Sequence, residues 1–242
     1  MVLVHGFTQT HVSWARVTDN LARDHRVSSV DAPGHGGSAH VLADLAAGAG
    51  LLGEAGGRAV YVGYSMGGRL ALRLALDRPD LVSGLVLLGA TAGIDDPVER
   101  AARQAADEIL AADLDREGVT HFVDRWLAQP LFADLHPERS DLEARRSNTA
   151  DGLASSLRTA GTATMDPPWW DELGSVSAPT LTVAGERDEK FTVLGQRLAA
   201  GIGAAARFTT IAGAGHAAHL EQPRAFADLV RAFVASITPH PF

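Results

Sequence analysis

The chain has 242 residues, of which 46% are hydrophobic, and its formal net charge is −8 at pH 7. This length suits one α/β domain with a sizeable buried core, and the negative charge disfavours nucleic acid or an anionic membrane as a partner. Cysteine is absent, which excludes a disulfide framework and a thiolate metal site. No basic leader precedes the first strand-like run and no apolar run approaches membrane-spanning length, so we expect a cytoplasmic protein with no membrane segment.

Strand-like and helix-like segments alternate over roughly the first 90 residues. The pattern predicts strands at 2–5, 26–31, 59–64 and 84–89, and helices at 14–23, 41–52 and 66–77. The last of these helices is expected to end before Pro79. This alternation indicates a mostly parallel sheet flanked by helices.

Residues 94–168 interrupt the alternation. They are rich in Ala, Arg, Asp and Glu and contain no convincing strand. We interpret them as a helical cap inserted between two parts of an α/β core, 1–93 and 169–242. Beyond the cap, the sequence predicts strands at 179–185 and 207–211 and helices at 193–200 and 217–236.

One serine marks where chemistry is expected. Ser65 lies in the segment Gly-Tyr-Ser-Met-Gly at 63–67, between a predicted strand and a predicted helix. This G-x-S-x-G spacing is typical of a nucleophile elbow, in which a sharp turn raises the serine hydroxyl above the edge of the sheet. Asp188 and His216 follow in the order that accompanies such an elbow, each after a predicted strand. The sequence therefore predicts a catalytic triad of Ser65, His216 and Asp188.

The triad needs an oxyanion hole, and the loop after the first strand usually supplies one of its amides. We assign the N–H groups of Phe7 and Met66 as the two donors. His216 would take the proton of Ser65, and Asp188 would hold the imidazole in the required tautomer. This apparatus suits ester, thioester or amide hydrolysis, and equally a reaction through an enolate-like anion. The triad alone leaves the reaction open.

Two other patterns receive structural interpretations. The segment at 48–53 fits G-x-G-x-x-G, but it lies in or after a predicted helix instead of following a strand, so we expect no dinucleotide site there. His5 and His35 are flanked by turn residues, and we expect them to make structural hydrogen bonds. The ten histidines show no metal-ligand spacing, and we expect neither a metal nor a cofactor.

Arginines suggest what the pocket binds. Arg69 follows Ser65 by four residues on the same predicted helix, so both lie on one face, and helical side chains lean toward the N-terminus. Arg100, Arg103 and the pair Arg145-Arg146 lie in the predicted cap. Arginines around a pocket would indicate a substrate with carboxylates, whereas the alternative is solvated helix faces paired with acidic residues.

The order of strand, elbow, cap, acid and histidine resembles the α/β-hydrolase superfamily across essentially the whole chain. Within it, several segments resemble the 2-succinyl-6-hydroxy-2,4-cyclohexadiene-1-carboxylate (SHCHC) synthases of menaquinone biosynthesis. The more specific of these are Gly-Tyr-Ser-Met-Gly-Gly-Arg at 63–69, Gln-Pro-Leu-Phe-Ala at 129–133, Arg-Ser-Asn at 146–148 and Gly-Glu-Arg-Asp-Glu-Lys-Phe at 185–191.

The resemblance implies a lyase with a small anionic substrate. It would eliminate pyruvate from 2-succinyl-5-enolpyruvyl-6-hydroxy-3-cyclohexene-1-carboxylate, with Ser65 acting as the base. Arg69, Arg103 and Arg146 match the positions that bind substrate carboxylates, with Arg100 and Arg145 as rival positions, and Trp126 matches an aromatic residue at the pocket wall.

The sequence differs from the family pattern at two places. Leu127 stands where the family often has Tyr, and the sequence starts at the His-Gly-Phe strand. We therefore expect either a truncated start or a sheet without the usual N-terminal hairpin.

The alternative activity is a serine hydrolase acting on a small acidic ester or on a carbon–carbon bond beside a ketone. A non-catalytic binding module is disfavoured by the complete triad.

Overall fold

The strands form one sheet in which all neighbours run parallel. A computed structural model describes residues 1–237, and the end of the predicted core, 238–242, lies outside them. In the described chain the strand order is β2-β1-β3-β4-β5-β6. The strands are β1 (Val2–Val4), β2 (Ser28–Val30), β3 (Ala59–Tyr64), β4 (Val82–Leu88), β5 (Thr180–Gly185) and β6 (Ala206–Ile211).

The helices connect these strands and cover the sheet. They are α1 (Ala15–Leu21), α2 (Leu45–Gly56), α3 (Met66–Asp77), α4 (Pro97–Leu127), α5 (Arg139–Arg146), α6 (Ala150–Ala160), α7 (Glu189–Ile202), α8 (Ala218–Glu221) and α9 (Pro223–Ile237). The bounds of β3 and α3 coincide with the prediction. The helix predicted at 217–236 is two helices, because Pro223 cannot continue α8 and instead opens α9.

Each face of the sheet carries its own apolar layer. On one face, α2, α3 and α7 contribute buried side chains that include Leu52, Leu74 and Leu198. On the other face, α1 and α9 contribute Leu21, Phe226 and others. A fully buried Leu or Phe side chain contributes about 1.5–3 kcal/mol. The inner strands are therefore held by apolar burial on both sides, as a parallel sheet requires.

The segment between β4 and β5 contains helices and 3₁₀ turns but no strand in the described structure. Its longest helix, α4, is interrupted at Gly118, whose φ of 75° and ψ of 161° are not helical. α4 and α6 pack together around Leu114, Phe122 and Leu157. These helices occupy the place of the predicted cap, and the limits of the cap as a domain, 94–168, stay a prediction.

The topology indicates where a ligand would bind. The chain leaves β1 toward β2 and then returns to β3 on the opposite side of β1. In open α/β sheets, ligands bind beyond the carboxyl ends of the strands at such a switch point. Phe7 follows β1 and Ser65 follows β3, so both lie at this crevice.

Candidate active site

Ser65 occupies a strained turn between β3 and α3. Its φ is 50° and its ψ is −108°, a conformation that residues other than glycine rarely adopt. The backbone N–H of Ser65 donates to Leu88 O at 2.8 Å, which fixes the turn against β4. At Gly67, a Cβ atom would lie 2.2 Å from Val4 O, so only glycine lets α3 begin this close to β1. The sequence thus forms the turn that the G-x-S-x-G spacing predicts.

His216 and Asp188 form a buried hydrogen-bonded pair. The distance from His216 Nδ1 to Asp188 Oδ2 is 2.6 Å. The other carboxylate oxygen of Asp188 accepts from Phe191 N at 3.2 Å, so the same side chain caps α7. Because Nδ1 donates to the carboxylate, Nε2 of His216 is left as a proton acceptor.

A glycine makes room for this imidazole. Gly89, directly after β4, has a φ of 57°. A Cβ atom there would lie 2.8 Å from His216 Cε1. Both the backbone conformation and the contact require glycine, so β4 helps to place the histidine ring.

Ser65 and His216 line one cavity of about 320 Å³. Within residues 1–237, neither Ser65 Oγ nor His216 Nε2 makes a hydrogen bond. Catalytic hydrogen bonds often form only when the substrate binds, so this geometry is compatible with proton transfer between the two groups.

The cavity wall is cationic. Four basic side chains line it, and no Asp or Glu of the described residues does; the basic residues are Arg69, Arg103, Arg145 and Lys190. Lys190 is the sole lysine among the 242 residues. In a protein with a net charge of −8, this arrangement favours an anionic ligand.

Arg69 is a buried guanidinium without a carboxylate partner among the described residues. Its Nη1 donates to Thr162 Oγ1 at 3.0 Å and its Nη2 donates to Ala160 O at 2.8 Å. Its Nε is buried and makes no hydrogen bond. Burial, followed by repulsion from Arg103, lowers the pKa of Arg69 to about 10, so the side chain stays charged at neutral pH. The unused donor and charge are suited to a substrate carboxylate.

Arg103 reaches the same cavity from α4. Its Nε donates to Asp107 Oδ1 at 2.8 Å, one helical turn further on. Asp107 is almost fully buried, and desolvation raises its pKa despite the neighbouring Arg103. The rival position, Arg100, instead forms an ion pair with Asp166 at 3.0 Å and does not line the cavity.

The structure corrects the prediction that Arg146 lies at the pocket. Arg146 is paired with Asp124 and does not line the cavity, whereas its neighbour Arg145 does. Arg145 is 1% exposed and donates from Nε to Asp141 Oδ2 at 2.7 Å. Successive residues on α5 point about 100° apart, so Arg145 lines the cavity while the half-buried Arg146 turns toward Asp124.

Among residues 1–237, the two predicted oxyanion donors have no hydrogen-bond acceptor. Met66 is the first residue of α3, and its N–H therefore has no acceptor within the helix. In the described chain the N–H of Phe7 also makes no hydrogen bond. Both residues line the cavity beside Ser65. A helix N-terminus and a free loop amide together can stabilise developing negative charge.

An aromatic wall forms another part of the cavity. Trp126 lines it, and its ring centroid lies 5.1 Å from that of Phe7. The ring of Phe132 lies 6.0 Å from that of Trp126 and 6.0 Å from that of His216. Apolar walls lower the local dielectric constant, which strengthens electrostatic interactions between a ligand and the neighbouring charged groups.

Comparison with known proteins agrees with this fold. Residues 1–229 match the Alpha/beta hydrolase family. The chain belongs to the α/β-hydrolase family. A protein of Escherichia coli O1:K1 / APEC named 2-succinyl-6-hydroxy-2,4-cyclohexadiene-1-carboxylate synthase is 33% identical over 92% of this chain and 88% of its own length. A Salmonella typhimurium protein of the same name is 33% identical over 94% of this chain and 90% of its own length.

A solved structure of MenH from S. aureus is similar to this α/β-hydrolase over nearly its whole length. The TM-score is 0.90 at 29% identity, with 98% of this chain and 94% of the other covered. The predicted fold class and the resemblance to SHCHC synthases are thereby confirmed.

Other predicted features of this α/β-hydrolase lie outside the cavity. His5 is fully buried, with Nδ1 bonded to Gly6 O at 2.8 Å and Nε2 accepting from Ala32 N at 3.0 Å. His35 is bonded to Pro33 O at 2.9 Å. The segment 48–53 lies inside α2, which packs against α3. No helix within residues 1–237 is long and apolar enough to cross a membrane, and no three His, Asp or Glu side chains there form a metal-binding group.

Sequence reasoning missed one basic residue of this α/β-hydrolase site and left another undecided. It treats Arg145 only as a rival of Arg146, and it gives Lys190 no role. A signal for Lys190 exists, because it follows the predicted triad acid by two residues and is the only lysine present. Arg145 carries no such signal, since the orientation of α5 depends on packing between distant segments.

Proposed function

We propose that this protein is an SHCHC synthase that eliminates pyruvate from 2-succinyl-5-enolpyruvyl-6-hydroxy-3-cyclohexene-1-carboxylate. The observation that carries the proposal is the wall of four basic side chains, without an acidic one among the described residues, around the hydroxyl of Ser65. The names of the relatives, which match nearly the whole chain, support the same reaction.

The substrate suits this wall because it carries three carboxylates. The free donor and unpaired charge of Arg69 would bind one of them. Arg103 and Lys190 lie on the same cavity and would bind the others. Each charge-assisted hydrogen bond contributes about 1.5–3 kcal/mol. A neutral ester would leave these charges partly desolvated and unpaired, which is unfavourable.

The triad would serve as a base instead of forming an acyl-enzyme. His216 takes the proton of Ser65, and Ser65 removes a proton from the substrate ring. The electron pair of that C–H bond moves toward the succinyl ketone, where the amides of Phe7 and Met66 stabilise the developing oxyanion. The anion forms a new double bond in the ring while the existing ring alkene shifts by one position and expels the enolpyruvyl oxygen. The enolate that leaves takes the proton held by His216 and becomes pyruvate.

The hydrogen bond between Asp188 and His216 supports this role. At 2.6 Å, it fixes the imidazole with Nε2 as the acceptor and stabilises the imidazolium that forms. The cavity, at about 320 Å³, is within the size range of small-molecule sites.

The decisive experiment measures pyruvate. Purified protein mixed with the enolpyruvyl substrate should release one pyruvate for each substrate molecule consumed. The pyruvate is measured with a coupled dehydrogenase that consumes NADH. It should turn over p-nitrophenyl esters only slowly. Rapid ester hydrolysis with an acyl-enzyme burst, and no pyruvate, would instead identify a serine hydrolase.

A further inference from the structure

Thr8, directly after the predicted oxyanion residue Phe7, has a backbone conformation that needs outside support. Its φ is 66°, and it is fully buried. A β-branched residue at positive φ is a genuine outlier, and such outliers persist only where the surroundings hold them. Thr8 follows Phe7 directly in the loop after β1, so support at Thr8 restrains the short backbone segment that carries the Phe7 amide.

Two side chains from the cap segment hold Thr8. Asn148, just beyond α5, donates from Nδ2 to Thr8 O at 2.8 Å. Arg145, at the end of α5, donates from Nη1 to Thr8 Oγ1 at 2.8 Å. Both of these side chains are buried, and both come from a segment that lies 137 to 140 residues away in the sequence.

Asn148 is itself fixed at both ends of its amide. Its Oδ1 accepts from Gly36 N at 2.8 Å, and its Nδ2 also donates to Arg145 O at 3.0 Å. The side chain therefore joins the cap, the loop after β1 and the loop after β2. Asn148 does not line the cavity, so it cannot contact a substrate there.

We propose that Asn148 is a positioning residue that, with Arg145, holds Thr8 at positive φ and so keeps the Phe7 amide directed at the substrate oxyanion. The inference rests on the proposed function, because it takes the Phe7 amide as an oxyanion donor. The cap then has a second role, since it orients one catalytic amide as well as covering the cavity.

The test uses Asn148→Asp, which keeps the shape and the acceptor for Gly36 N but removes the N–H donors to Thr8 O. Loss of one oxyanion donor costs about 10²–10³-fold in kcat, and partial misalignment should cost at least about tenfold. KM should change less than about threefold, because ground-state binding is not altered. Ser147→Ala is the matched control, since the Ser147 hydroxyl is exposed and bonds only to Ala144 O in the described chain.

Two further measurements separate positioning from general destabilisation. Hydrogen exchange of the intact protein should become faster at the amides of 7–9 in the Asn148→Asp variant, with exchange in the β3 and β4 strands unchanged. Adding Thr8→Gly to that variant should restore part of kcat, because glycine adopts positive φ without support. Should Asn148→Asp fail to fold, the same measurements are made on Thr8→Val, which removes the acceptor for Arg145.

Unchanged kcat, unchanged exchange at 7–9, or a raised KM with kcat preserved would each overturn the proposal. The exchange readout does not depend on the reaction. The wild-type protein could release no pyruvate while Asn148→Asp still speeds exchange at residues 7–9. In that case the proposed function would fail, and the support of Thr8 by Asn148 would stand.

Discussion

The buried histidines behind the active site should make the fold sensitive to mild acid. The rings of His5 and His35 are fully buried and lie 5.1 Å apart. His5 uses one ring nitrogen as a donor and the other as an acceptor, which requires the neutral form. Burial lowers the pKa of His5 to about 3 and that of His35 to about 4.

The size of the effect follows from proton linkage. In the unfolded chain each histidine binds a proton near pH 6.5, whereas in the native state it does so only near pH 3–4. The stability they contribute is therefore complete above pH 6.5 and is lost as the pH falls toward the native pKa. Between pH 7 and pH 5, each histidine should lower the free energy of unfolding by about 2 kcal/mol. Together the two histidines would remove about 4 kcal/mol from the free energy of unfolding, which is typically about 5–15 kcal/mol for a folded protein.

Urea unfolding at pH 7 and pH 5 measures this loss directly. His35→Asn keeps an amide donor near the position of Nδ1 but cannot be protonated. Its free energy of unfolding should therefore fall by about 2 kcal/mol less between pH 7 and pH 5 than that of the wild type. His40→Asn is the control, because His40 is exposed, and it should behave as the wild type does. Equal losses in the wild type and in His35→Asn would refute the reasoning.

Three further predictions concern the cavity. Ser65→Ala should lower kcat for pyruvate release by at least about 10²-fold, and near-normal turnover would remove the serine from the mechanism. Arg69→Gln should raise KM by about 10–100-fold, whereas Arg146→Gln should leave it unchanged; equal effects of the two would contradict the placement of these side chains. Gly89→Ala should displace His216 and lower kcat at least about tenfold, and its unfolding free energy should fall by about 1–3 kcal/mol. A crystal structure of that variant with His216 in place and full activity would disprove the steric argument.

Local signals predict the centre of the sheet well. The bounds of β3 and α3 agree with the prediction to the residue, because the elbow requires a strand, a serine at positive φ and a helix in immediate succession. Helix ends without such a constraint are predicted less accurately. α7 begins at Glu189 and not at 193, because Asp188 serves as its N-cap as well as the partner of His216.

The cap can be predicted in type but not in detail. Its helical composition is evident, yet the sequence does not tell which of Arg145 and Arg146 faces inward. That choice depends on how α5 rests against the loop after β1, where Arg145 meets Thr8. Such contacts join residues far apart in sequence, and no local pattern encodes them. The roles of Ser65, Asp188 and His216 in catalysis stay predictions until the variants are measured.

The single lysine has a practical consequence. Besides the α-amino group, Lys190 offers the only primary amine in the chain, and its side chain lines the cavity. Acylation of this amine by a reactive ester would remove its positive charge and place the added group in the cavity, so such a label should lower activity. Coupling the protein to a solid support by the same chemistry would turn this side of the molecule toward the matrix, so immobilisation should use a different handle.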